Sequence, residues 1–306
     1  STGRPVTWTA LLGSILGPGT HRPLLEQAAA MVEQGLDVRP QVTCRPLNFE
    51  FQFAAPFILE SMPAFAPVSA ADHEGKKRLY ADPAWRDQLR QGGGLGSAGM
   101  WERMTIAVYP DDPALEERLV SDVAAERGVD PVDLALDLAL ASDLQARFRF
   151  AVANYDEDEV EELLRSPAAV LGLSDAGAHA SQLCDACFST HLLGHWVRER
   201  GSLTLEDAVR RLTSEPAELF GLTDRGRIAP GLAADLVLFD PATVGAGALR
   251  RVWDLPAGAD RLVSDAAGIE AVVVNGTLLR RSGVDVLDPD GPLPGRLLRS
   301  VAGTGS

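Results

Sequence analysis

The run from Ala169 to His179 constrains the fold more than any other stretch. Ala-Val-Leu-Gly-Leu (169–173) is apolar without alternation and stops abruptly at Ser174-Asp175. A short apolar run closed by turn residues reads as a strand buried on both faces, the kind that parallel sheets use. Its C-terminal end delivers a carboxylate, Asp175, and an imidazole, His179, to the following loop. In α/β proteins ligands sit at that end of the sheet. Asp is also a common turn former and helix cap. The run alone therefore leaves Asp175 between a functional and a purely local role.

The preceding chain supports an α/β reading. Val6–Leu12 reads as a buried strand rich in β-branched and aromatic residues. After a Gly/Pro loop, Leu24, Leu25, Ala28, Met31 and Val32 form the apolar stripe of a helix that Gly35 ends. Leu36–Cys44 reads as the next strand, and strand, helix, strand implies parallel pairing. Ala146–Asn154 reads as a third strand and Ala169–Ser174 as a fourth. Asp130-Pro131 opens one helix and Asp156 caps another. Ser181–Arg200 reads as a helix carrying His191 and His195 on one face. Another helix covers Thr204–Leu212, with Asp207 in a capping-box position. The chain opens without an initiator Met, inside what reads as a helix-to-strand connection, so elements are expected before it.

Residues 45–104 interrupt this rhythm. Phe49, Phe51, Phe53, Phe57 and Phe65 are interleaved with Pro46, Pro56, Pro63 and Pro67. Such an insertion after a strand suits either the apolar wall of a substrate pocket or a packed cap. His73 lies in a charged run and is expected in solvent. Gly92–Gly99 is expected to be a mobile loop. After Gly221 the pattern becomes β-rich: Asp235–Asp240 and Ala271–Arg280 read as strands. Asn275-Gly276 between apolar residues is a two-residue hairpin signal.

Composition excludes several classes. A net charge of −15 is unsuited to nucleic acid. No apolar run approaches the roughly 20 residues of a membrane span. Three cysteines, Cys44, Cys184 and Cys187, are too few for a disulfide framework, which points to the cytoplasm. Cys184 and Cys187 have CxxC spacing near His191 and His195. Ordinary buried thiols are the expectation there, since four ligands along one helix do not converge on a tetrahedral zinc.

Three segments carry a family resemblance. Leu-Thr-Ser-Glu-Pro-Ala-Glu-Leu-Phe-Gly-Leu (212–222), the run from Asp224 to Asp240, and Val-Val-Asn-Gly (273–276) resemble the C-terminal signature of the amidohydrolase superfamily. Leu-Ser-Asp-Ala-Gly-Ala-His (173–179), with Cys-Asp-Ala-Cys-Phe-Ser-Thr-His (184–191), is similar to the branch containing N-acyl-D-amino-acid deacylases.

The resemblance implies an α/β fold made of the C-terminal half of a TIM-type barrel, about strands five to eight, plus a small β-sandwich. The partial barrel then covers residues 1–221 with its insertion at 45–104. The β-sandwich covers 222–287, and 288–306 form an extended or disordered tail. The resemblance further implies hydrolysis of an amide C–N bond in an N-acyl amino acid or related small molecule, with Zn²⁺ activating a water. Asp175 matches the carboxylate at the end of the eighth strand, a metal ligand and proton shuttle. His179 is a candidate for binding a substrate carboxylate.

The family also takes metal ligands from a His-x-His on strand one and from histidines on strands five and six. The five histidines here are His21, His73, His179, His191 and His195, and none forms a His-x-His. Counting four strands back from Asp175 puts the fifth-strand position near Thr9-Ala10 and the sixth within Val38–Cys44, where Cys44 is the one candidate. The expectation is thus a metal-dependent hydrolase with a reduced ligand set, or a half-barrel completed by a second copy or by a missing N-terminal half.

Overall fold

The computed structural model describes residues 4–91, 99–172, 174, 177–184 and 186–298. Strand β1 (Val6–Trp8) leads to helix α1 (Arg22–Glu33) and β2 (Val38–Val42). Then come β3 (Leu47–Gln52), α2 (Ala66–Ser69), α3 (His73–Ala81), α4 (Pro83–Gln91), β4 (Thr105–Val108) and β5 (Arg118–Leu119). Helices α5 (Val120–Arg127) and α6 (Pro131–Ala141) precede β6 (Arg147–Ala153), α7 (Glu157–Arg165) and β7 (Val170–Leu171). One turn of α8 (Phe188–His191) runs into a π-helix (Leu192–Glu199), followed by α9 (Leu205–Leu212) and α10 (Ser214–Leu219). The remaining strands are β8 (Leu236–Phe239), β9 (Gly245–Val252), β10 (Arg261–Ala267), β11 (Ile269–Val274), β12 (Thr277–Arg281) and β13 (Val284–Asp285).

Strands β1, β2 and β7 form a parallel sheet in the order β1-β2-β7. Because side chains alternate along a strand, Val42 and Leu171 share one face, and Gln41 and Val170 share the other. The first face is the core: Leu11, Val42 and Leu171 pack with Leu25 of α1, Val160, Leu163 and Leu164 of α7, and Leu192, Leu193 and Trp196 of the π-helix. The opposite face is more polar, and Gln41 Nε2 donates to Thr7 Oγ1 at 3.0 Å.

The expected third strand, Ala146–Asn154, is a correction: it does not join the parallel sheet. β6 pairs antiparallel with β3 and with β4, in a second sheet ordered β3-β6-β4-β5. Arg147, Phe148, Arg149 and Phe150 alternate polar and apolar, and Asn48–Phe53 alternates likewise. Each strand therefore buries one face, and the two faces coincide in a second core. There Phe51, Phe53, Phe148 and Phe150 meet Tyr80, Trp85 and Leu136. Phe53 and Phe148 lie edge to face with ring centres 5.4 Å apart, and Tyr80 donates its hydroxyl to the Phe53 carbonyl at 2.8 Å. This packing continues past residue 104, where the insertion was expected to end, through α5, α6 and β6. The expected Gly92–Gly99 loop lies outside the described residues, Gly99 apart.

Residues 236–285 form two antiparallel sheets, β13-β12-β11-β8 and β10-β9. Asn275-Gly276 is the hairpin turn between β11 and β12, with φ of +46° and +79°, the left-handed pair that a tight hairpin requires. Gly194 is needed for a different reason. A Cβ there would stand 2.8 Å from the Val244 carbonyl oxygen, so glycine lets the π-helix lie directly on the start of β9. Asn275 Nδ2 donates to the Pro294 carbonyl at 2.7 Å, tying part of the tail to this hairpin. No helix among the described residues is long and apolar enough to cross a membrane.

Candidate active site

The C-terminal ends of the parallel strands lie together. The Leu11 N–H donates to the Gln41 carbonyl at 3.0 Å, and the Gly172 N–H to the Val42 carbonyl at 2.9 Å, extending the ladder past each strand. Asn154, just after β6, is inserted across these ends. Its Nδ2 donates to the Arg45 carbonyl at 3.2 Å, and its backbone and Oδ1 both bind Gly13. It is fully buried with φ of +56°, a conformation that Asn tolerates better than most residues. The chain thus passes from the antiparallel sheet straight into the mouth of the parallel one.

The loop after β1 is held by a buried carboxylate. Glu159 accepts from the Ser14 hydroxyl and from the Gly19 N–H, both at 2.5 Å. Burial works to raise its pKa, but these two donors, together with His21 and Arg22, outweigh it and hold the carboxyl below its usual range. His21 is 1% exposed, with Nδ1 3.7 Å from Glu159 and Nε2 3.3 Å from Glu162. Tyr155 donates to the Ser14 carbonyl at 3.3 Å, and the Arg103 guanidinium lies 4.0 Å over its ring.

Past β7, Asp175 lies outside the described residues. His179 is exposed, with φ of +45°, and its ring lies 5.2 Å from that of Phe57. Phe57 is the half-exposed member of the insertion's aromatic series; Phe51, Phe53 and Phe65 are buried in the second core. The insertion is therefore largely a packed cap whose Phe57 reaches the strand-end loop.

The expected helix over 181–200 begins only at Phe188, because residues 179–183 are drawn into turns and onto neighbouring strands. His191 and His195 stack at 4.9 Å. Burial, with help from Arg45 and His195, pushes the His191 pKa down to about 3, so its ring is neutral. His195 lies 2.8 Å from Glu157 and 3.2 Å from Glu199. Cys44 is buried and donates to the Phe188 carbonyl at 3.2 Å, while Trp196 Nε1 donates to the Cys44 carbonyl at 2.7 Å. Cys187 is buried and Cys184 partly so, and neither forms a disulfide among the described residues.

A family model described as the amidohydrolase family matches residues 106–279. The chain belongs to the amidohydrolase family. Within it, the chain is 38% identical over 190 residues to an N-acyl-D-glutamate deacylase of Alcaligenes xylosoxydans xylosoxydans, a match covering 60% of this chain and 34% of the relative. A D-aminoacylase of the same organism is 35% identical over 166 residues, covering 54% and 31%. The solved N-acyl-D-glutamate deacylase of Bordetella bronchiseptica, complexed with zinc and a phosphonate inhibitor, aligns with a TM-score of 0.50 and 25% identity. That alignment covers 96% of this chain and 49% of the solved one. The chain thus spans about a third of the curated relatives it matches and half of the solved one.

The described residues at the strand ends do not fit a zinc site by themselves. They offer Cys44, Asn154 and Ser174, and the Cys44 thiol is engaged with a carbonyl. Among the described residues, three His, Cys, Asp or Glu ligand atoms come within 4.8 Å of one another at His73, Glu74 and Asp143. That group is exposed, carries Lys77 against Asp143, and belongs to the unit of the second core. His191, His195, Cys184 and Cys187 do not converge in this way. Asn154, Glu159 and Ser14 were not singled out by sequence reasoning. Their partners lie about 140 residues away, and no local pattern announces such pairs.

Proposed function

We propose that this chain forms part of an amide hydrolase acting on N-acyl amino acids, with the reaction at the C-terminal ends of β1, β2 and β7. The observation that carries the reading is the family match, which spans β6, α7 and β7 and continues through the β-rich segment. In this reading the parallel sheet belongs to a TIM-type barrel, residues 222–287 to a β-sandwich, and β7 is the eighth barrel strand. The three parallel strands then count as six, seven and eight. The sixth-strand histidine position falls after β1, near Thr9-Ala10, where the sequence has no histidine, and the fifth-strand position has no counterpart among the described strands.

Asp175 follows β7 and is the carboxylate that takes the proton of the attacking water and passes it to the leaving nitrogen. His179, exposed beside Phe57, binds the substrate carboxylate, with Phe57 as an apolar neighbour. No step is assigned to a metal, because the described donors do not assemble a site for one.

The test is amine release from N-acetyl-D-glutamate and other N-acyl-D-amino acids by the purified chain, with and without added Zn²⁺. Hydrolysis supports the reading. Complete absence under both conditions rejects turnover by this chain. It would favour a second reading, a half-barrel that works only with another polypeptide. That second reading rests on the sheet itself: among the described strands β1 and β7 each pair on one side only, and such edges call for cover. A monomeric mass with a single cooperative unfolding transition would count against it.

A further inference from the structure

Residues 179–183 lie between two sheet edges. The Glu50 N–H on edge strand β3 donates to the Gln182 carbonyl at 2.7 Å, and the Leu262 N–H on edge strand β10 donates to the Ala180 carbonyl at 2.9 Å. Between these two bonds stands Arg251 of β9. Its Nη2 donates to the Ser181 carbonyl at 2.9 Å and to Glu50 Oε1 at 2.5 Å, and its Nη1 donates to Asp260. The Arg251 and Glu50 side chains are 7% and 4% exposed. Arg147 closes the cluster, 3.9 Å from Glu50 and 3.4 Å from Asp260.

Two acids and two bases thus alternate at the junction of the antiparallel sheet, the β9-β10 pair and the segment that follows β7. A buried guanidinium costs desolvation and is retained where its planar fork satisfies several acceptors at once. Here one of those acceptors is a backbone carbonyl of the His179 turn. Within that turn, the Gln182 and Leu183 N–H groups donate back to the His179 carbonyl at 2.7 and 3.2 Å. The chain from Arg251 to the His179 backbone is therefore continuous.

We infer that Arg251 is a positioning residue: through the Ser181 carbonyl, and with Glu50, it sets the turn that holds the His179 imidazole against Phe57 at the strand-end loop. It couples the β-rich segment to the candidate substrate site. The importance of this turn for catalysis rests on the function proposed above; the coupling itself does not.

The test is proton NMR of the five histidine rings, with His179→Asn assigning the His179 signals and Phe57→Leu measuring the shift that the Phe57 ring imposes on them. In Arg251→Met the His179 signals are expected to move most of the way to their Phe57→Leu positions while the other four histidines stay in place. The amides of Glu50 and Leu262 are expected to exchange at least ~10-fold faster. In Arg251→Lys, which keeps the charge but lacks the fork, the movement is expected to be partial, and this variant decides the matter if Arg251→Met does not fold. Unmoved His179 signals and unchanged exchange in a folded variant would overturn the positioning role. If the chain hydrolyses N-acyl-D-amino acids, Arg251→Met is also expected to raise KM severalfold with kcat within about twofold. Failure of hydrolysis alone overturns the functional reading and leaves the NMR result to judge the positioning.

Discussion

Asn154 and Gly13 exchange two hydrogen bonds: the Asn154 N–H donates to the Gly13 carbonyl at 2.8 Å, and the Gly13 N–H donates to Asn154 Oδ1 at 2.7 Å. The pair joins residues 141 positions apart and fixes the exit of β6 onto the end of β1. Asn154→Ala keeps the backbone bond and removes the rest, leaving the Gly13 N–H and the Arg45 carbonyl without their Asn154 side-chain partner. Losing one buried and one partly buried bond costs about 2–4 kcal/mol. A lower urea midpoint with an unchanged m-value is the expected result.

Glu159 clamps the loop after β1, and its pKa is held low in the folded chain by Ser14 and Gly19 against the effect of burial. A carboxylate depressed by folding adds stability that is present above its unfolded pKa, and this is lost as pH falls through the folded value. Glu159→Gln is therefore expected to destabilise the chain at pH 7 by about 1–3 kcal/mol. The difference from the parent should shrink steadily below about pH 4.5, as the parent's carboxylate protonates. Urea melts across pH 3–7 measure it. A constant difference would show that the Glu159 charge plays no part.

His191 has the opposite chemistry. Its folded pKa, pushed down to about 3, lies below its ordinary value of 6.5. The unfolded chain therefore binds a proton that the folded one refuses. Stability is complete above about pH 6.5 and declines as pH falls toward 3, at up to about 1.4 kcal/mol per pH unit. Burial is the main cause, Arg45 and His195 add to it, and Glu199 pulls the other way. His191→Gln is expected to flatten the stability profile between pH 6.5 and 4. Thermal melts over that range check it, and an unchanged slope would assign the decline to other groups.

Much of the fold can be read along the chain, because its signals are local. Asp130 accepts from the Val132 N–H, Asp156 from the N–H groups of Asp158 and Glu159, and Thr204 from the Asp207 N–H, each capping the helix expected there. The β1-α1-β2 unit and the Asn275-Gly276 hairpin also stand where periodicity and turn chemistry place them. The stretch Ala146–Asn154 reads as a strand from Phe148, Phe150 and Val152, and it is counted with the parallel strands of the barrel. Its alternation of arginine and phenylalanine carries the opposite message, a strand with one buried face, and the matching alternation in β3 names its partner.

The candidate site divides in the same way. The family signature marks Asp175 and His179 through a contiguous motif. The Asn154–Gly13 exchange, the Glu159 clamp and the Glu50–Arg251 pair join residues 141, 145 and 201 positions apart. Such pairs exist only once the sheets that carry them are assembled.

The function proposed here turns on Asp175, and one comparison tests it most directly: the rate of amine release from the best N-acyl-D-amino acid substrate, measured for the parent chain and for Asp175→Asn. An amide cannot accept the water's proton, and loss of a positioned acid–base group typically costs about 10²–10⁴-fold in rate. The expected result is measurable release by the parent and a loss within that range in the variant, with both proteins unfolding at the same urea concentration. Equal rates in the two proteins, or no release by the parent at any Zn²⁺ concentration, would contradict it.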